Sequence, residues 1–78
     1  MGVPITVPEL GTDTARVSAW FVAVGERVYE GDRVLEVTVP GATVDVPAPA
    51  TGTVRERHVR VGDVVRPGLV LGVIEAEQ

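Results

Sequence analysis

VGERVYEG, residues 24–31, returns as VGDVVRPG at residues 61–68, an offset of 37 positions. Carrying that offset outward pairs Val17 with Val54, Val22 with Val59, Val34 with Leu71 and Val37 with Ile74. A repeat present only twice predicts a closed two-fold pair, because a solenoid needs about three or more units. Neither half can bury its apolar face alone, so each sheet is expected to draw strands from both halves. Two small antiparallel sheets packed as a flattened barrel meet that requirement and also limit exposed edges.

Composition points the same way. The chain has 78 residues, eighteen of them Val, with one Phe, one Trp and one Tyr, so its core must be built from small branched side chains. β-Branched residues fit a pleated, half-buried surface and lose rotamer freedom in helices, which predicts an all-β protein. The length suits one domain, residues 1–78, with a core to about residue 75 and residues 76–78 as a tail or the start of a linker. Alternation between turn signals places strands at Val3–Val7, Ala15–Val22, Arg27–Tyr29, Val34–Thr38, Thr43–Val46, Gly52–Arg60, Val64–Val65 and Val70–Ile74. In the second of these, Val17, Ala19 and Phe21 are expected on one face, with Ser18, Trp20 and Val22 on the other. No apolar pattern holds a helical period for three turns.

Several function classes drop out. The net charge is −4 and no stretch concentrates Arg, which argues against nucleic acid as a partner. No apolar run approaches the ~20 residues of a membrane span. The absence of Cys removes disulfides and thiolate chemistry and suits a cytoplasmic setting, while a single His excludes a multi-histidine metal site. All seven basic residues are Arg; there is no Lys. No side-chain amine is therefore present for Schiff-base chemistry, biotinylation or lipoylation, and the permanently protonated guanidinium is no acyl acceptor. No nucleophile–base pair or phosphate loop appears, so neither a catalytic nor a metal-ligating residue is assigned.

The centre of the chain, TVPGATVDVPAP at residues 38–49, reads as strand, Pro-Gly turn, strand and a Pro-Ala-Pro stop. Pro40 presets the first turn position and Gly41 accepts the positive φ of a type II turn. Type II is not the preferred two-residue hairpin turn, so a wider or bulged loop is expected. Under the two-fold, this tip lies at one end of the molecule and the chain termini near the other.

The ordered set Ile5–Gly11, Val17–Phe21, Val24–Val28, Glu30–Glu36, Ala42–Pro49, Gly52–Val54, Val61–Val65 and Gly68–Glu75 resembles lipoyl domains of the dihydrolipoamide acyltransferase (E2) subunits of 2-oxo acid dehydrogenase complexes. The resemblance runs over nearly the whole chain without gaps. It implies a barrel-sandwich hybrid of two four-stranded antiparallel sheets with two-fold pseudosymmetry. In the family the hairpin tip carries Asp-Lys-Ala, whose lysine is amidated with lipoic acid. Here those positions are Pro40, Gly41 and Ala42, and Thr38 and Val39 depart from the usual Glu and Thr as well.

The resemblance thus implies lipoate as cofactor, whereas the residues present imply none, and a non-catalytic structural or docking module follows. The alternative is a working carrier whose acceptor lysine has been lost or replaced in this chain. Biotin carriers place Met-Lys-Met at the tip, and the lysine-free modules of membrane-fusion proteins are interrupted by a helical hairpin; neither pattern is present. The tip either only closes the hairpin or docks its apolar Val39 and Pro40 on a partner. The family also places the loop Glu9, Leu10, Gly11, Thr12, Asp13, Thr14 beside the lipoyl turn, where it assists recognition by E1 or E3 components; otherwise it is a solvated connection. As an isolated domain the chain is expected to be monomeric. Trp20 is expected to pack, His58 to face solvent from a strand, and Arg55, Arg57 and Arg60 to line a solvated basic strip. Asp32 and Asp63 are expected to cap equivalent turns of the repeat.

Overall fold

The computed structural model describes residues 1–77 and is built entirely from strands and turns. Eight strands follow one another: β1 (Gly2–Thr6), β2 (Ala15–Trp20), β3 (Arg27–Val28), β4 (Arg33–Val39), β5 (Ala42–Pro47), β6 (Gly52–Arg57), β7 (Val64–Val65) and β8 (Val70–Ala76). They form two antiparallel four-stranded sheets, ordered β1-β8-β6-β3 and β5-β4-β2-β7. Exchanging the halves, so that β1 to β4 become β5 to β8 and the reverse, turns one sheet order into the other. Each sheet therefore takes two strands from each half, as the duplication requires.

The symmetry extends to single hydrogen bonds. Gly25 N donates to Val54 O and, 37 residues on, Gly62 N donates to Val17 O; Phe21 N to Val34 O is matched by His58 N to Leu71 O. Even the irregularities repeat: register slips between Val17 and Ala19 in β2 and between Val54 and Glu56 in β6, leaving Ser18 and Arg55 as the extra residues.

That bulge corrects the expected facing of β2. After the inserted Ser18 the alternation changes phase, so Trp20 pairs with buried Leu35 and packs on the core together with Val22. Phe21 instead faces outward, 37% exposed, under the Arg33 guanidinium. Both long strands also end early: β2 stops at Trp20 and β6 at Arg57, which leaves His58 exposed just beyond its strand. Strand β8 runs through Ala76, and Glu77 N donates to Thr51 O; of the expected tail, Gln78 lies outside the described residues.

Fifteen apolar residues form the core, nine of them Val, and no polar or charged residue is buried among the described residues. Two glycines sit where the paired strands β6 and β8 of one sheet leave no room for a side chain. A Cβ at Gly52 would collide with the Glu75 carbonyl, and one at Gly72 with the Glu56 carbonyl.

Candidate functional site

Strand β4 carries the chain out to Val39, and β5 begins at Ala42, so the central hairpin closes through Pro40 and Gly41 alone. Pairing is continuous at the tip, with Val39 opposite Ala42 and Thr38 opposite Thr43; the only slip in this hairpin lies at its base, between Arg33 and Leu35. The wider or bulged loop expected from turn preferences is thus replaced by a two-residue turn. Gly41 has a φ of 80° and follows a proline whose ring holds φ near about −65°, the combination of a type II turn.

Both central residues are exposed. A Cβ on Gly41 would meet nothing within 4 Å, so position 41 points outward with room for a side chain. Val39 is partly buried and packs on the core, so it braces the hairpin, and Pro40 is the exposed apolar residue of the pair. Within the hairpin, exposed Thr38 and Thr43 supply hydroxyls; the tip offers neither amine nor carboxylate.

The connection from β1 to β2 reaches this hairpin from the side. Its entry is pinned by Val7 N to Leu69 O and Gly68 N to Val7 O, and its exit by the pairing of Ala15 with Val65. Between these points Leu10 packs on the core. Glu9 Oε1 accepts from Gly11 N at 3.0 Å and Thr12 Oγ1 from Thr14 N at 3.4 Å, local bonds that shape the polar turn. The counterpart of Val7 is Ala48, bonded the same way to Asp32 and Gly31, and β6 begins at Gly52. Seven residues (8–14) thus bridge a gap that its symmetry mate crosses with three (49–51).

Two depressions flank the end of this loop. Thr14, Ala15 and Arg16 face Thr38, Val39 and Pro40 across a groove of about 280 Å³. A second hollow, about 480 Å³, is lined by Asp13, Thr14, Val64, Val65, Arg66 and Leu69. Of the six loop residues singled out in the sequence, Asp13 and Thr14 reach these depressions, and Thr14 lines both; Glu9, Leu10, Gly11 and Thr12 line neither. Arg16, Val64 and Leu69 were missed. The repeat held a signal for the last two: Val64 and Leu69 are exposed and apolar where their counterparts are Arg27 and Asp32.

The remaining polar residues serve the fold. Asp32 Oδ2 accepts from Tyr29 N at 3.0 Å and Asp63 Oδ2 from Arg60 N at 2.8 Å. The two caps are not equivalent, because the counterpart of Asp63 is Glu26, which accepts from Ala23 N. The expected basic strip is divided among partners. Arg55 bonds Glu75 at 2.6 Å, Arg57 lies over Trp20 and donates to Val22 O, and His58 Nε2 is 2.7 Å from Glu56 Oε1. The hydrogen bond to His58, then that from Arg55, holds the Glu56 carboxyl below its ordinary value. Among the described residues no three His, Cys, Asp or Glu side chains converge as a metal site, and no helix is long and apolar enough to cross a membrane.

Comparison with known proteins bears on this arrangement. Residues 3–74 match the family model described as biotin-requiring enzyme. The chain is 36% identical over 76 residues to the dihydrolipoyllysine-residue acetyltransferase component of the pyruvate dehydrogenase complex of Haemophilus influenzae, covering 97% of this chain and 13% of that protein. It is 36% identical over 78 residues to the dihydrolipoyllysine-residue succinyltransferase component of the 2-oxoglutarate dehydrogenase complex of Bartonella vinsonii, covering 97% and 19%. The chain therefore spans less than a fifth of these relatives. The solution structure of the lipoyl domain of the 2-oxoglutarate dehydrogenase complex from Azotobacter vinelandii superposes with a TM-score of 0.70 at 23% identity, over 94% of this chain and 99% of that one.

Proposed function

The chain belongs to the biotin–lipoyl domain family, and from that premise we propose that it is an unlipoylated lipoyl-type domain, a structural or docking module of a 2-oxo acid dehydrogenase complex. One observation carries this reading: the hairpin tip that would present an acceptor lysine ends in Gly41, and the chain holds no lysine anywhere. Lipoate is held as an amide of a side-chain amine, so the residues present do not fit the group. The surroundings do not forbid it, since the space at position 41 is open; only the nitrogen is missing. Without a covalent arm the domain cannot raise the local concentration of a carried acyl group, which leaves binding as its function.

The recognition element we assign is the loop Glu9–Thr14, with E1 or E3 components of such a complex as partners. Its support is economic: the barrel's own repeat closes the equivalent gap with four fewer residues, so the fold does not need the additional length. Exposed loops on a rigid scaffold commonly carry binding residues. The test is capture of purified E1 and E3 components on the immobilised chain and on a variant with residues 9–14 scrambled. Binding that is lost on scrambling, with the circular dichroism spectrum retained, is the expected result. Equal capture by both would remove the loop from recognition.

A further inference from the structure

The two halves of the chain, β1–β4 and β5–β8, are joined covalently only through Pro40 and Gly41, yet four of the six strand pairings run between them: β1 with β8, β2 with β7, β3 with β6 and β4 with β5. The interface between halves is thus most of the protein itself. From this geometry we infer that the chain forms a second stable state, a dimer in which two copies exchange halves about an extended Pro40–Gly41 hinge.

The inference follows from turn chemistry. The two-residue turns that match the twist of a β-hairpin, types I′ and II′, both need positive φ at the first central residue. That residue is Pro40, whose ring forbids it. The hairpin therefore closes through a type II turn, with Gly41 at φ 80°, a turn whose twist is mismatched to the strands it joins although Val39 and Ala42 stay paired. The same sequence suits an extended hinge. Proline's fixed φ fits extended chain as well as the turn, the residue before it is biased toward extended backbone, and Gly41 tolerates either state. All four pairings between halves re-form in the exchanged dimer, β4 of one copy meeting β5 of the other, so only the hinge and the protein concentration separate the two states. A Cβ at Gly41 meets nothing within 4 Å and Pro40 is exposed, so no core contact holds the two hinge residues in the turn. Because the exchange breaks the core, the two forms interconvert only through unfolding and persist as separable species.

The 78-residue chain, unfolded in guanidinium chloride and refolded at millimolar concentration, should give a monomer and a dimer by light scattering, with the dimer surviving dilution for hours. Pro40→Asn, which supplies the Asn-Gly of a type I′ turn, should lose the dimer, as should two glycines inserted after Gly41. Deleting Pro40 and Gly41 should leave dimer alone. Arg27 and Thr53 face each other across β3 and β6, one from each half, and the chain has no other cysteine to interfere with a pair placed there. After oxidation, dimeric Arg27→Cys/Thr53→Cys must run as a covalent dimer on a non-reducing gel. Should that variant fail to fold, tagged and untagged chains must form mixed dimers on joint refolding but not on mixing when folded. Monomer alone from every variant, a dimer that falls apart on dilution, or crosslinks confined to single chains would overturn the inference.

Discussion

The Arg57 guanidinium lies 4.7 Å from the centre of the Trp20 ring, and the two residues are counterparts, 37 positions apart in the internal repeat. Both follow the bulge of their strand, so the same backbone device presents one aromatic ring and one cation to each other. Arg57 also donates to Val22 O at 3.3 Å, and Trp20 Nε1 to Val59 O at 3.0 Å, tying the two strand ends together. Trp20→Phe keeps most of the apolar body but loses the indole donor and the better cation–π face. A loss of about 1–2 kcal/mol is expected, read by denaturant unfolding. In Arg57→Ala the emission of the sole tryptophan should shift to the red while the unfolding transition stays cooperative.

A methyl group should destabilise at both Gly52 and Gly41, but for different physical reasons. At position 52 the methyl meets the Glu75 backbone, and overpacking of this kind costs about 1–3 kcal/mol. At position 41 it meets only solvent, and the cost is that of left-handed backbone, about 1–2 kcal/mol. In a domain of this size each kcal/mol lowers Tm by about 4–8 °C. The unfolding transition of Gly52→Ala should also lose sharpness, whereas Gly41→Ala should keep the native spectrum.

Acid should weaken the fold through two carboxylates. Glu75 is held below its ordinary value of 4.5, first by the hydrogen bond from the Met1 ammonium and then by that from Arg55; Glu56 is held down by His58 and Arg55. A depressed folded-state value means stability that is present above the unfolded value and lost as pH falls through the folded one. Thermal midpoints should therefore decline on acidification below the ordinary glutamate range. The decline should be shallow, because both groups are exposed and screened, and Glu56→Gln with Glu75→Gln should flatten it further.

Expression beside lipoylating enzymes should leave the intact mass of the chain unchanged. Pro40→Asp with Gly41→Lys should gain one lipoyl group, since position 41 opens to solvent at the end of a continuous hairpin. A lipoyl adduct on the unaltered chain would show that an acceptor other than lysine exists and would end the docking-module reading.

The eight strands were legible because Gly, Pro and Asp punctuate the chain at nearly every turn, and the exchange of strands between sheets was legible from the repeat. The facing of Trp20 and Phe21 was not, because a bulge adds one residue to a strand without leaving a compositional mark, and every residue beyond it changes side. The missing acceptor at Gly41 needed only the sequence. The groove beside it did not, since bringing Thr14–Arg16 to Thr38–Pro40 depends on the pairing of Arg16 with Thr38, a contact made by the register of the sheet.

Eighteen valines in so short a chain would ordinarily invite the stacked growth of fibrils. Here the outermost strands of the two sheets are either two residues long, as in β3 and β7, or set close beside one another, as in β1 and β5. An incoming segment therefore finds each border either short or flanked, and lengthening β7 by a few β-branched residues would open a longer template for stacking.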